Sequence, residues 1–313
     1  MYFKNINLYQ TKPVIIFLMG PTACGKSKFA LYLRKYLPIE LISVDSASIY
    51  RGMDIGTDKP SINDLSVHPY RLLNIKDPIE NYSAAEFRHD VLKEINNIIK
   101  LGKIPFLVGG TMFYYHVLLY GLSNLPSSSI KLRQYLLDNN KNNFYLHKKL
   151  TLIDPISAQR IHKNDFQRTI RALEIFYLSG KTLTALKKHH YNKLPYNVLQ
   201  FALIPPSKEW LNNQIEMRIR KMLIMGFQKE VEALFLRGDL HINLSSIRCI
   251  GYRQMWNYLE YKNSYKEMFN QIVYATRKLA KNQLTWLKKW KNINKILCNS
   301  NPEILLEKIL KNL

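Results

Sequence analysis

Gly20-Pro21-Thr22-Ala23-Cys24-Gly25-Lys26-Ser27 is the stretch on which the fold turns. An apolar run, Val14-Ile15-Ile16-Phe17-Leu18, precedes it, and an amphipathic stretch from Phe29 to Leu37 follows. Strand, then G-x-x-x-x-G-K-S, then helix is the setting in which a phosphate-binding loop has a mechanism. The glycines let the backbone curl so that its N–H groups face phosphate oxygens, and the helix N-terminus adds positive partial charge. All eight residues, Gly20 to Ser27, are therefore expected to bind a diphosphate or triphosphate. Lys26 is expected on the terminal phosphates, and the Ser27 hydroxyl on a Mg²⁺ ion.

Outward from the loop, Leu41-Ile42-Ser43-Val44 reads as a strand that ends in Asp45-Ser46. Strand ends are where open parallel sheets place ligand chemistry; a carboxylate there can equally cap a turn. The glycine- and aspartate-rich run Tyr50 to Pro60 reads as a long loop. Ser83-Ala84-Ala85-Glu86 is a capping box that opens a helix with Phe87, Val91, Ile95 and Ile98 on one face. Ile104-Pro105-Phe106-Leu107-Val108 is then a buried strand, reached by a crossover and so parallel to the first. It ends in Gly109-Gly110-Thr111, where a nucleotide hydrolase or kinase places a magnesium-organising acid. Two glycines and a neutral hydroxyl at that point weaken an ATPase reading.

From Ser123 to about Pro195 the pattern turns helical and rich in Lys, Asn and His. It reads as a helical insertion, 124–198, between two parts of a core, 1–123 and 199–313. The fold class is α/β: a P-loop NTPase-like parallel sheet flanked by helices, with an inserted all-helical domain. Within the insertion Asp165 can cap a helix with Phe166, Ile170, Leu173 and Tyr177 on one face and Gln167, Arg168 and Arg171 on the other. Phe201-Ala202-Leu203-Ile204 returns as a core strand. The next helix carries Leu211, Ile215, Ile219 and Met222 in a stripe with Arg218 in its middle. An arginine there is costly unless paired, which leaves a buried ion pair or an arm reaching the loop's ligand. Ile247 to Gln254 mixes arginines, glycine and tyrosine, suited to nucleic acid or to a loop packed on the core. Gln271 to Trp290 reads as a helix with Ile272, Leu279, Trp286 and Trp290 on one side and Arg277, Lys281 and Lys288 on the other.

The chain of 313 residues suits one large α/β domain plus a smaller one, and 47% hydrophobic residues supply a core. Lys and Arg number 46 against 23 Asp and Glu, a net charge of +23. Such a charge fits a nucleic-acid partner or a compositional bias, and its clustering on the last long helix favours the former. No apolar run spans a membrane and no signal segment is present, so a cytoplasmic location is expected. Three cysteines, Cys24, Cys249 and Cys298, have no metal-ligand spacing and point to a reducing compartment.

Taken together, these segments resemble the tRNA dimethylallyltransferase family in its bacterial form. The likeness rests on the loop at Gly20–Ser27, the run Val44 to Thr57, Val108-Gly109-Gly110-Thr111, Gln167 to Arg171 and Ile247 to Gln254. It runs in order over roughly residues 14 to 292, and the Asp-Ser-Ala and Arg-Cys-Ile-Gly-Tyr-Arg runs are its most specific parts. The resemblance implies transfer of a dimethylallyl group from dimethylallyl diphosphate to N6 of the adenosine immediately 3′ of the anticodon. The acceptors it implies are tRNAs reading codons that begin with U; the products are N6-dimethylallyladenosine and diphosphate.

By the same resemblance Asp45 is the general base, Thr111 lies by the breaking bond, and Lys26, Arg218 and Mg²⁺ at Ser27 neutralise the departing diphosphate. Asp45, Ser46, Ala47, Ser48, Thr111, Arg133, Gln167, Arg168, Thr169, Ile170, Arg171, Arg248, Cys249, Ile250, Gly251, Tyr252 and Arg253 are then the expected contacts to the anticodon stem-loop, and the protein is expected to act as a monomer. Cys24 stands where the family commonly has serine or alanine; its thiol is either acidified by the helix N-terminus or a small space-filler. A nucleoside or small-molecule kinase shares the loop and sheet, and a non-catalytic RNA- or DNA-binding protein would keep the basic helix.

Overall fold

The computed structural model describes residues 12–138, 143–187 and 194–313. In chain order its elements are β1 (Val14–Met19), α1 (Lys26–Arg34), β2 (Ile39–Val44), α2 (Ile62–Val67), β3 (Tyr70–Arg71), α3 (Ala84–Lys100), β4 (Ile104–Gly109) and α4 (Met112–Tyr120). Then come α5 (Ile130–Asp138), α6 (Asn143–Ile153), α7 (Pro155–Arg160), α8 (Phe166–Ser179) and α9 (Leu183–Leu186). The chain ends with β5 (Asn197–Ile204), α10 (Lys208–Ile224), α11 (Phe227–Phe235), α12 (Tyr252–Leu259), α13 (Tyr265–Lys289), β6 (Asn294–Leu297) and α14 (Glu303–Leu310).

The strands form one sheet in the order β3-β2-β4-β1-β5-β6, every pair parallel. Parallel strands need crossovers, and the helices those crossovers carry cover both faces. β1 shows the result: Ile16 and Leu18 enter one apolar cluster, while Ile15, Phe17 and Met19 enter the other. All five are fully buried. Each such side chain contributes roughly 1.5–3 kcal/mol by leaving water, so the sheet is the rigid base of what its strand ends carry.

Contacts along the chain divide it into two compact units, 1–119 with 194–313, and 120–193. β5 begins at Asn197, which pairs with Val14, so Asn197 and Val198 belong to the sheet and not, as expected, to the insertion. In the helical unit Leu136, Leu146, Leu150, Ile170 and Leu173 form a separate core.

Local sequence rules place the helices well. Both arms of the Ser83–Glu86 capping box are made, and α3 buries Phe87, Val91, Ile95 and Ile98. Asp165 caps α8 through the Arg168 N–H, and Gly180 closes it with φ 66°. Two stripes are rotated from their expected settings. Tyr177 of α8 is exposed, with Thr169, Ala172 and Ile175 buried instead. In α13 the buried line runs through Met268, Ile272, Ala280, Gln283 and Leu287, leaving Leu279 and Trp286 exposed.

Candidate active site

Gly20 to Ser27 connects the end of β1 to the start of α1, and its backbone does what the glycine spacing demands: Ala23 and Gly25 both take left-handed φ, 62° and 72°. Such a run of turned N–H groups makes an anion-binding hollow. Two side chains from distant helices hold it. Gln283 of α13 accepts the Thr22 N–H at 2.9 Å through Oε1 and donates Nε2 to the Gly110 carbonyl at 2.9 Å. Arg218 of α10 donates to Thr22 Oγ1 at 2.6 Å and stands 3.5 Å from an Asp58 carboxylate oxygen. Arg218 thus reaches the loop itself, with an exposed carboxylate as its ion-pair partner.

The end of β4 lies across this loop. A Cβ on Gly109 would run into the backbone of Val44, and one on Gly110 would meet Gln283 Nε2 at 2.5 Å. Gly109 therefore cannot carry a side chain, while one at Gly110 would push the Gln283 amide off its bond to the Gly110 carbonyl. Thr111 joins this end to β2: its N–H donates to the Val44 carbonyl and its Oγ1 accepts from the Ser46 N–H, both at 3.2 Å. The Asp45 carboxylate follows directly on β2. Oδ1 caps a turn, accepting the N–H groups of Ala47 and Ser48 at 2.8 and 3.2 Å, which leaves Oδ2 for a ligand.

These groups enclose a cavity of about 650 Å³. Its lining includes Thr22, Ala23, Gly25, Lys26 and Ser27; Asp45, Ser46, Ala47 and Ser48; Thr111; Arg218; and Arg248, Cys249, Ile250, Gly251 and Tyr252. Ile219, Met222, Phe227 and Ile272 add apolar wall, with Leu279 and Trp286 also along the lining. Gly20, Pro21, Cys24 and Arg253 are not in the lining. Lys26 reaches back to the Pro21 carbonyl at 2.7 Å. Burial, helped by the neighbouring Arg218 charge, lowers its pKa to about 8, so its proton is held below that pH and lost above it.

Several expected contacts have other work. Tyr252 is buried, and its hydroxyl donates to Glu230 at 2.6 Å. The same carboxylate accepts the N–H groups of Asp54, Ile55 and Gly56 at 2.9, 2.6 and 3.0 Å. Glu230 thus clamps the 50–60 loop, and Gly56 has no room for a Cβ against Phe227 and Tyr252. The Tyr252 side chain is thus packed on the core, at the edge of the cavity. Cys24 is buried with its thiol hydrogen-bonded to Cys298; that bond and burial raise its pKa, the reverse of acidification.

In the helical unit Thr169 and Ile170 face inward, and the Thr169 hydroxyl donates to the Asp165 carbonyl at 2.9 Å. Their side chains are core, not surface. Arg133 grips buried Glu174 with two bonds, 2.9 and 3.0 Å, and Arg171 adds a third at 2.6 Å. Arg168 pairs with Asp165 and is 75% exposed; Gln167 is exposed beside it.

Glu174, Glu230 and Gln283 were not anticipated. Gln283 had a usable signal, since a polar residue in an apolar helical stripe is the anomaly that marked Arg218; the mis-set face of α13 hid it.

Comparison with known proteins agrees with the geometry. A family model described as "IPP transferase" matches residues 48–290. The chain is 75% identical to a tRNA dimethylallyltransferase of Buchnera aphidicola subsp. Acyrthosiphon pisum (strain APS), covering 97% of each protein. It is 55% identical to the one of Buchnera aphidicola subsp. Baizongia pistaciae (strain Bp), covering 96% of this chain and 94% of that one. Among solved structures it resembles the tRNA isopentenylpyrophosphate transferase of Bacillus halodurans, with TM-score 0.70, 32% identity and coverage of 97% and 95%. A eukaryotic dimethylallyltransferase caught acting on tRNA shares the fold at TM-score 0.79 and 23% identity, over 96% of this chain and 80% of the other.

Proposed function

The chain belongs to the IPP transferase family, and from that premise we propose that its cavity transfers a dimethylallyl group from dimethylallyl diphosphate to tRNA. The acceptor is N6 of the adenosine immediately 3′ of the anticodon, in tRNAs that read codons beginning with U. The observation that carries the reading is the facing of two strand ends. An anion-binding loop with Lys26 and Arg218 lies opposite Asp45 and Thr111, in a cavity whose further wall is apolar.

The loop holds the diphosphate as a leaving group, so no acid is needed to activate water. The amine nitrogen attacks the allylic carbon, the carbon–oxygen bond breaks, and its electron pair leaves on the diphosphate. Asp45 Oδ2 takes the proton that the amine sheds. An adenine amine is a weak nucleophile, so charge stabilisation by Lys26 and Arg218 supplies much of the acceleration, with fixed orientation supplying more.

Magnesium suits the donors present. Among the described residues no three His, Cys, Asp or Glu are grouped to cage a metal. Mg²⁺ characteristically takes one or two protein oxygens and fills its shell with phosphate and water. Ser27, exposed in the cavity lining, would hold it, and it would neutralise charge on the diphosphate. The target base must leave the anticodon stack to enter, at a few kcal/mol. Exposed Lys278, Lys281, Lys288 and Lys289 lie on the helix that sends Gln283 to the phosphate loop, and such a row attracts an RNA backbone. Gln167 and Arg168 are the insertion's exposed candidates for the same contact. No described helix is long and apolar enough to cross a membrane.

Mass analysis of tRNA incubated with the protein and dimethylallyl diphosphate tests the proposal: one dimethylallyl group should appear on the adenosine beside the anticodon. Asp45→Asn keeps the oxygen that caps the turn and should slow transfer by about 10²–10⁴ while tRNA binding survives. Turnover within tenfold of the parent would remove Asp45 from the chemistry.

A further inference from the structure

A carboxylate on the wall of an anion-binding cavity works against the ligand. Asp45 has a part in the chemistry; Asp58, which lines the same cavity, has none. Its Oδ2 stands 3.5 Å from Arg218 Nη1, the nitrogen that also donates to Thr22 Oγ1 at 2.6 Å.

The backbone that carries Asp58 is tied down from several directions. Glu230 takes the N–H groups of Asp54, Ile55 and Gly56. The Asp58 N–H donates to the Ile55 carbonyl at 3.0 Å, which closes a turn, and the Thr57 hydroxyl donates to the Met53 carbonyl at 2.6 Å. Lys59, its side chain fully buried, donates to the Tyr50 carbonyl, Asp54 Oδ1 and Asn74 Oδ1 at 2.6, 2.7 and 2.6 Å. Asp58 itself takes a left-handed φ of 60°, a conformation that aspartate and asparagine tolerate better than most side chains. The turn therefore delivers its carboxylate to Arg218 on a fixed backbone. The guanidinium it meets comes off the apolar stripe of α10, where a cation without a counter-charge is costly, and Thr22 is neutral.

We propose that Asp58 is a positioning residue that acts through Arg218: it is the counter-ion of the arginine while the loop is empty, and the diphosphate takes its place on binding. This inference rests on the diphosphate reading above. One anion is exchanged for another at the same guanidinium, so Arg218 is balanced and aimed at the loop before the substrate arrives. After the carbon–oxygen bond has broken, the carboxylate competes with the diphosphate for the arginine. Asp58 thus lowers the affinity of the site for its own product.

The test is calorimetric titration of the whole protein with inorganic diphosphate in EDTA. Asp58→Asn removes the charge and keeps a residue suited to the left-handed backbone. It should tighten diphosphate binding about three- to fivefold, the equivalent of about 1 kcal/mol or less at 1.4 kcal/mol per tenfold. An aspartate that only shaped the turn would not tighten a ligand on removal of its charge. In an Arg218→Ala background, where Lys26 and the loop N–H groups still bind the anion, D58N should give less than about half of that gain on a logarithmic scale. Unchanged or weaker binding in D58N would overturn the inference. So would a gain that keeps about half or more of its size without Arg218, since Asp58 would then repel the ligand without acting through the arginine. A parent protein with no affinity for diphosphate would instead overturn the proposed function itself.

Discussion

In the core, Arg218 comes off the apolar stripe of α10 and ends on the Thr22 hydroxyl, with its side chain 24% exposed. In the helical unit, Arg133 and Arg171 close on the two oxygens of Glu174, a carboxylate with no exposure at all. Arg218 has one short bond to a neutral partner and a longer approach to exposed Asp58, so it retains donors for an incoming anion. Arg133 and Arg171 already have their counter-charge, and Arg171 also donates to the Pro126 carbonyl at 2.6 Å. The lesson is that an arginine in a helical pattern serves a ligand or the core according to whether the fold supplies a buried carboxylate beside it.

That contrast can be broken from either side. The largest effect is expected at Arg218→Ala, where loss of one charged donor to the leaving group should lower kcat/KM by about 10²–10³. The same change should leave the unfolding midpoint near the parent's; steady-state kinetics beside a urea melt separate the two. A variant that unfolds easily but turns over normally would make Arg218 another structural arginine.

Glu174→Gln should do the opposite. It keeps the shape and removes the charge, leaving two guanidinium groups to share one neutral amide oxygen beside an NH2 that cannot accept. The loss should be roughly 2–3 kcal/mol, below that of a fully buried pair because both arginines reach solvent. Burial works against the Glu174 charge, but the hydrogen bonds from Arg133 and Arg171 prevail and hold its carboxyl below the ordinary 4.5. A depressed folded pKa gives stability that is complete above that value and lost as pH falls through the folded one. Protection of α8 amides, taken relative to their intrinsic exchange rate at each pH, should therefore fall as pH drops below the ordinary 4.5 in the parent but stay nearly flat in the variant. Equal acid sensitivity in both would sever Glu174 from the stability of the unit.

The smallest effect is expected at Arg168→Ala. Among the described residues this exposed side chain pairs with its own helix cap, and surface pairs contribute about 0–1 kcal/mol. Folding should be unchanged, while tRNA binding weakens and its salt slope falls by about one. An unchanged slope would mean that this face is merely solvated.

What could be read in advance was local. The phosphate loop, the Ser83 and Asp165 caps and the buried face of α3 each depend on residues within a few positions, so spacing alone fixes them. Arg218 was legible as an anomaly in a pattern, though not the identity of its partner. Gln283 and Glu230 were not read because their meaning lies in partners far along the chain. Gln283 meets Thr22 and Gly110, and Glu230 meets the backbone of residues 54–56. The short β3 has only two residues, too few to leave a periodic trace. In the insertion, helical spacing placed Arg171 opposite the apolar face, but only the fold brings Glu174 and Arg133 to it.

The most direct measurement is a crystal structure with an unreactive thio-analogue of dimethylallyl diphosphate. The account predicts its diphosphate on the N–H groups of residues 22–27, against Lys26 and Arg218, with the allylic carbon turned towards Asp45 Oδ2. A diphosphate seated away from that loop, or an allylic carbon with no line to Asp45, would contradict it.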